Sequence, residues 1–202
     1  MSQPLIVFSH GNSFPASTYG VMMDELRRRG FRVEAIEKFG HDPRYPVTNN
    51  WPHLVEQLSD FVEGLAAQQP VFLLGHSLGG FLSLMTAAKH PTWVKGVVMM
   101  DSPLVAGWRA NLLRMGKRIP MAEVFSPGAI SRKRRDSWAN VEEAFAHFQS
   151  KRVFAKWHPQ VLRDYVDHGT HEQLTPDGPR RVLSFNKGIE TAIYNTLPDH
   201  IS

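Results

Sequence analysis

An α/β fold with a mostly parallel sheet and helices on both faces is predicted for this chain of 202 residues. Two observations carry the prediction. Short strand-like runs alternate with segments of helical periodicity through the first half of the chain. One of these runs passes through Gly75-His76-Ser77-Leu78-Gly79 straight into an apolar helix. Strand–helix–strand repetition implies right-handed crossovers, which place successive strands parallel and stack helices on the sheet.

Leu5-Ile6-Val7-Phe8 is brief, apolar and branched, and reads as a buried first strand. Ser17 or Thr18 is placed to cap a helix carrying Met22, Met23 and Leu26 on one side. Arg27, Arg28 and Arg29 fall in its last turn, where cations suit the dipole, and Gly30 stops it. Arg32 to Glu37 alternates as a second strand, and a loop with Pro43 and Pro46 follows. Leu54, Leu58, Phe61, Val62 and Leu65 have helical spacing, with Asn50 as the expected cap and Pro70 as the break. Val71-Phe72-Leu73-Leu74 reads as a strand buried on both faces. The helix from Ser77 to Lys89 is apolar around most of its circumference, so it belongs in a core. Val94 to Met100 is the fourth strand, ended by Asp101-Ser102-Pro103.

Beyond Pro103 no clean buried strand is expected. Helical patterns run over Ser137 to Gln149 and Pro159 to His168, and Arg181 to Phe185 has the pattern of a short strand. The composition shift divides the chain into a core over 1–103 and a mainly helical cap over 104–202.

Composition narrows the function classes. Hydrophobic residues are 42% and charged residues 21% of the chain, which is ordinary for a globular protein and excludes disorder as the main state. There is no cysteine, so disulfides, thiolate catalysis and Cys-ligated zinc are excluded. No apolar run approaches the roughly 18 residues of a membrane span, and no secretory leader is visible, so the cytoplasm is the expected compartment. A net charge of +4 is too small to argue for nucleic acid. Arg132-Lys133-Arg134-Arg135 reads as a solvated helix start, with Asp136, Glu142 and Glu143 nearby. His168 and His171 have no third ligand placed with them, so no metal site is expected.

The five residues Gly75 to Gly79 match G-x-S-x-G in the strand–turn–helix setting of a nucleophile elbow. A serine at the tip of such a turn projects its hydroxyl above the sheet edge, at the positive end of the next helix. Acyl transfer also needs main-chain N–H groups aimed at the developing oxyanion. His10-Gly11-Asn12 ends the first strand, and this loop lies beside the elbow if the two strands are neighbours. The N–H groups of Asn12 and Leu78 are then the two donors. His10 is expected to hold the loop, and His76 to point away from the serine.

These motifs, with Lys89-His90-Pro91 and the stretch Val94 to Pro103, resemble the α/β-hydrolase family. Val161 to Val166 through Asp177-Gly178 is similar to the helical lid of bacterial members. The resemblance covers most of the chain and is specific for fold, not for substrate. It implies a serine hydrolase of the carboxylic-ester type acting on a small-molecule acyl or ester substrate. Ser77 would attack the carbonyl, a histidine would activate it and an acid would orient the histidine, with no metal or organic cofactor. A serine at the tip argues against the dehalogenase and epoxide hydrolase branches, which use a carboxylate.

In the family two further strands normally follow the lid, and their loops carry the acid and the histidine. This chain stops at Ser202 before them, so a C-terminally shortened core lacking its last strands is expected. Asp101, after the fourth strand, occupies the place where some members carry their acid. His147, His158, His168, His171 and His200 are expected to be solvated or packing residues. Trp108, Trp138, Phe145, Phe148, Phe154 and Trp157 are expected in the cap core, some of them walling an acyl pocket. Two consequences are expected: an open sheet edge that promotes self-association, and, as an alternative to catalysis, an impaired small-molecule binder without the triad histidine.

Overall fold

In a computed structural model, residues 3–102 and 131–198 are described. Strand β1 (Leu5–Ser9) leads through a 3-10 turn (Ala16–Tyr19) into helix α1 (Gly20–Arg28), then β2 (Arg32–Ala35), α2 (Pro52–Ala66), β3 (Val71–His76), α3 (Leu78–Lys89) and β4 (Val94–Met100). The four strands form one parallel sheet in the order β2-β1-β3-β4. Ile6 pairs with Phe72 and Leu73 with Val97, so the strand before the elbow lies between the first and fourth strands.

Period-two alternation sorts β1 between two layers. Leu5 and Val7 join Leu54, Leu58, Val62, Leu78 and Leu82 from α2 and α3. Ile6 and Phe8 join Met23 and Val33, with Met22 and Leu26 from α1 packed against them. In β3 only Val71, Leu73 and Gly75 are fully buried, whereas Phe72, Leu74 and His76 are half-buried. The expectation of equal burial on both faces is corrected: two helices cover one face of β3, and the other borders the thinner layer of α1.

Two expected caps are also corrected. Ser17 Oγ donates to Glu37 and Thr18 Oγ1 to Pro15 O, because the chain enters α1 through a 3-10 turn. Ahead of α2, Asn50 and Trp51 both have left-handed φ, at 65° and 58°, and Trp51 holds the cap position without a side-chain cap bond. The strain is held by the Trp51 ring, which is buried and donates through Nε1 to Thr196 Oγ1 at 3.0 Å.

The second half contains β5 (Ser137–Trp138), α4 (Val141–Gln149), α5 (Pro159–Gly169), β6 (Thr170–Thr175), β7 (Gly178–Leu183) and α6 (Lys187–Asn195). Both longer helices expected there are present. Asn140 caps α4 by accepting from Glu143 N, which moves its start past Ser137. The strands make an antiparallel sheet in the order β5-β7-β6, more strand than periodicity indicated. Thr170–Thr175 is mostly exposed and polar, so it carries no apolar alternation. Trp138, Phe148, Leu162, Tyr165 and Val166 form the core of this half, with Phe145, Phe154 and Trp157 packed against it.

The basic run is solvated at Arg132, Lys133 and Arg135, as expected, but it closes a helical turn instead of opening one. Residues 131–133 are helical, Arg134 then leaves the helix to pair with Glu190, and Arg135 pairs with Glu143. Trp108 and His200 lie outside the described residues.

Candidate active site

β3 runs into α3 with no intervening loop, so the reversal falls on one residue. Ser77 takes it, with φ 50° and ψ −113°, a conformation that L side chains rarely adopt. The glycines around it permit this turn by proximity. A Cβ on Gly75 would stand 2.2 Å from the Gly79 carbonyl carbon, and one on Gly79 would stand 2.0 Å from Ser9 O. A Cβ on Gly80 would meet Ser102 Oγ at 2.1 Å. Strand, turn and helix thus pack closer than any larger residue allows.

The elbow is braced from three directions. Ser77 N donates to Met100 O at 2.9 Å, extending the β3–β4 ladder into the turn. Ser102 Oγ donates to Ser77 O at 2.9 Å. Gly79 N donates to His10 O at 3.1 Å, which fastens the loop after β1 to the elbow.

In that loop His10 is fully buried. Its Nε2 accepts from Phe39 N at 2.9 Å, so its Nδ1 carries the hydrogen that meets Gly11 O at 2.8 Å. Burial lowers its pKa to about 4, and the neutral ring is a fixed loop support, as the sequence suggested. Gly11 N donates to the Tyr19 hydroxyl at 3.0 Å, and that hydroxyl contacts His76 Nδ1 at 2.7 Å. His76 is therefore turned toward Tyr19. Burial raises the Tyr19 pKa above its ordinary value and lowers that of His76, the latter against the pull of the Asp101 charge. Tyr19 gave no signal in the sequence, since its partners are 8 and 57 positions away.

With Gly11 N–H occupied by Tyr19, Asn12 is the next main-chain donor in the loop. Phe14 N closes a turn onto Gly11 O at 3.1 Å, and Ser13 adopts a left-handed φ of 69° with its hydroxyl donating to Asn12 O. The Asn12 side chain is buried and donates to Glu190 O at 3.0 Å. Leu78 opens α3, where an N–H has no carbonyl partner within the helix. Ser77 is half-buried, and its hydroxyl makes no hydrogen bond among the described residues.

Asp101 directly follows β4, exposed and with φ 47°. Among the described residues the bonds at that turn come from Ser102. His41 also has both ring nitrogens engaged, with Phe39 O and Asn186 N.

Beside the elbow lies an apolar cavity of about 190 Å³, bordered by Phe14, Tyr19, Met22, His76 and Trp157. It reaches His76, on the flank of the turn. Of the expected wall residues Trp157 lines it, whereas Trp138 and Phe148 pack in the core of the second half.

Comparison with known proteins agrees with this architecture. The model of the family described as "Alpha/beta hydrolase family" matches residues 6–194. A monoglyceride lipase of Rattus norvegicus is 33% identical over 107 residues, which is 50% of this chain and 35% of that enzyme. The chain therefore matches about a third of the length of this curated relative. A peroxisomal alpha-beta-hydrolase of Saccharomyces cerevisiae superposes with a TM-score of 0.70 at 14% identity, covering 100% of this chain and 58% of that one. The crystal structure of an E-2-(acetamidomethylene)succinate hydrolase gives a TM-score of 0.66 at 21% identity, covering 97% and 67%. At such identities the superpositions speak for fold alone.

Proposed function

Because the chain belongs to the alpha/beta hydrolase family, we propose that it hydrolyses a carboxylic ester or related acyl bond with Ser77 as the nucleophile. The observation that carries this reading is the φ of 50° at Ser77, on a turn tied to the β1 loop by the Gly79–His10 bond. Ser77 Oγ would form a bond to the substrate carbonyl carbon while its proton passes to a base. The displaced electron pair settles on the carbonyl oxygen, where the N–H groups of Asn12 and Leu78 stabilise it. Collapse expels the alcohol, which takes up the proton, and water then releases the acid from the acyl-enzyme.

Asp101 is our candidate for the acid, on its position directly after the strand beside the elbow strand. His10 and His41 are excluded as the base, because their ring nitrogens are committed to main-chain partners. The cavity at His76 suits the apolar part of a substrate, and its size, below the roughly 300 Å³ usual for drug-sized ligands, favours a small one. Self-association through the β4 edge belongs to the same proposal.

One observation favours a second reading. The apolar cavity beside the elbow equally suits a small-molecule binder with no activated serine. A fluorophosphonate probe separates the two. Labelling that disappears in Ser77→Ala supports the hydrolase, and a folded chain that stays unlabelled supports the binder.

A further inference from the structure

We infer that Glu190, paired with Arg134, is a positioning residue for the loop that presents the Asn12 N–H. The inference rests on the reading of Asn12 as an oxyanion donor, yet its structural part is measurable without turnover.

Glu190 sits in the first turns of α6 and is 3% exposed, in the chain's second half. Its main-chain carbonyl accepts from Asn12 Nδ2 at 3.0 Å. Its carboxylate meets Arg134 Nη1 at 3.1 Å. Burial raises the pKa of that carboxylate, against the pull of Arg134, of the nearby Ser13 hydroxyl and of Lys187. One residue thus holds the loop at Asn12 through its carbonyl and is clamped from the far side by Arg134. Ser131 Oγ and Thr191 Oγ1, at 2.8 Å, bring the same two segments together one turn away.

The loop needs such a clamp. Ser13 is held at a left-handed φ that a non-glycine residue leaves readily, and relaxation there would rotate the Asn12–Ser13 peptide. α6 is a suitable anchor because it is itself docked on the core. Trp51 Nε1 reaches Ile193 O and Thr196 Oγ1, and His41 Nε2 accepts from Asn186 N.

A buried ion pair with a merely structural role has a distinctive signature. Removing one partner is destabilising, whereas replacing both with apolar residues of similar size restores stability. Positioning predicts that the double replacement restores stability without restoring the loop. The experiment compares wild type, Glu190→Ala, Arg134→Met and the double variant Arg134→Met/Glu190→Leu, by thermal melting, by amide hydrogen exchange over residues 11–14, and by the rate of fluorophosphonate labelling of Ser77.

The expected result for Glu190→Ala is faster exchange in that loop relative to β1, and labelling slowed about ten- to a hundredfold. The double variant should melt near wild type and keep both defects. Wild-type exchange in the loop of either Glu190 variant would overturn the inference, as would a double variant that recovers labelling together with its melting temperature. Should Glu190→Ala fail to fold, Glu190→Gln keeps the shape, drops the charge and serves the same comparison. A wild-type chain that is never labelled would refute the nucleophile reading, and exchange would still decide whether Glu190 holds the loop.

Discussion

His10 shows how one buried residue makes this fold sensitive to acid. Its imidazole accepts from Phe39 N–H on one nitrogen and donates to Gly11 O through the other, so only the neutral ring fits. A proton added to Nε2 would face the Phe39 N–H donor. Burial accordingly lowers its pKa to about 4, against 6.5 for the free side chain. Between those values the unfolded chain binds the proton more readily than the folded one, so stability is complete above about pH 6.5 and is lost as pH falls toward 4. The size of the effect is about 3 kcal/mol. His41 and His76 shift in the same direction for the same first cause, burial, and add to the slope. Urea unfolding between about pH 7.5 and about pH 4.5 should show this decline, and His10→Leu should flatten it while lowering stability at neutral pH. A wild-type profile without slope in that window would mean that the ring is not held as described.

At the level of elements, two glycines test the backbone separately from packing. A Cβ would meet nothing within 4 Å at either Gly64 or Gly178. Gly64 is exposed near the end of α2, so Gly64→Ala should raise stability by roughly 0.5–1 kcal/mol through helix propensity. Gly178 turns the β6–β7 hairpin at φ 105°, so Gly178→Ala should lower it by roughly 1–2 kcal/mol. A Gly178→Ala variant that melts no lower than wild type would contradict the assigned φ at Gly178. The same contrast explains what was legible in the sequence. Gly30 and the run Gly75 to Gly79 mark turns by residue type, and the four parallel strands follow from local apolar patterns. The entry to α1 was misread because Ser17 and Thr18 bond to Glu37 and Pro15 instead of capping. β6 was missed because its six residues are mostly solvent-facing. At the candidate site Ser77 and Asn12 were legible from motif context. Tyr19 and Glu190 were not, because their roles arise from partners brought together only by folding.

For the whole molecule the sheet edge at β4 matters most. Among the described residues β4 is paired through β3 on one side, and none of its seven residues is fully buried. Val98 in its middle is 55% exposed. A β4 edge left unpaired would present alternate N–H and C=O groups beside apolar side chains, which is a template for pairing with another chain. The proposed self-association should therefore use this edge, and it should depend on protein concentration because the contact forms between molecules. Sedimentation velocity over a wide concentration range is expected to show larger species as concentration rises. Val98→Lys should shift the population toward the monomer, since a desolvated ammonium disfavours a strand laid over it. The same substitution should leave Ser77 labelling per chain unchanged, because Val98 pairs with Leu74, two residues short of the elbow-side end of β3. A single monomeric species at every concentration would refute this use of the edge. Association that Val98→Lys leaves untouched would place the contact on another surface.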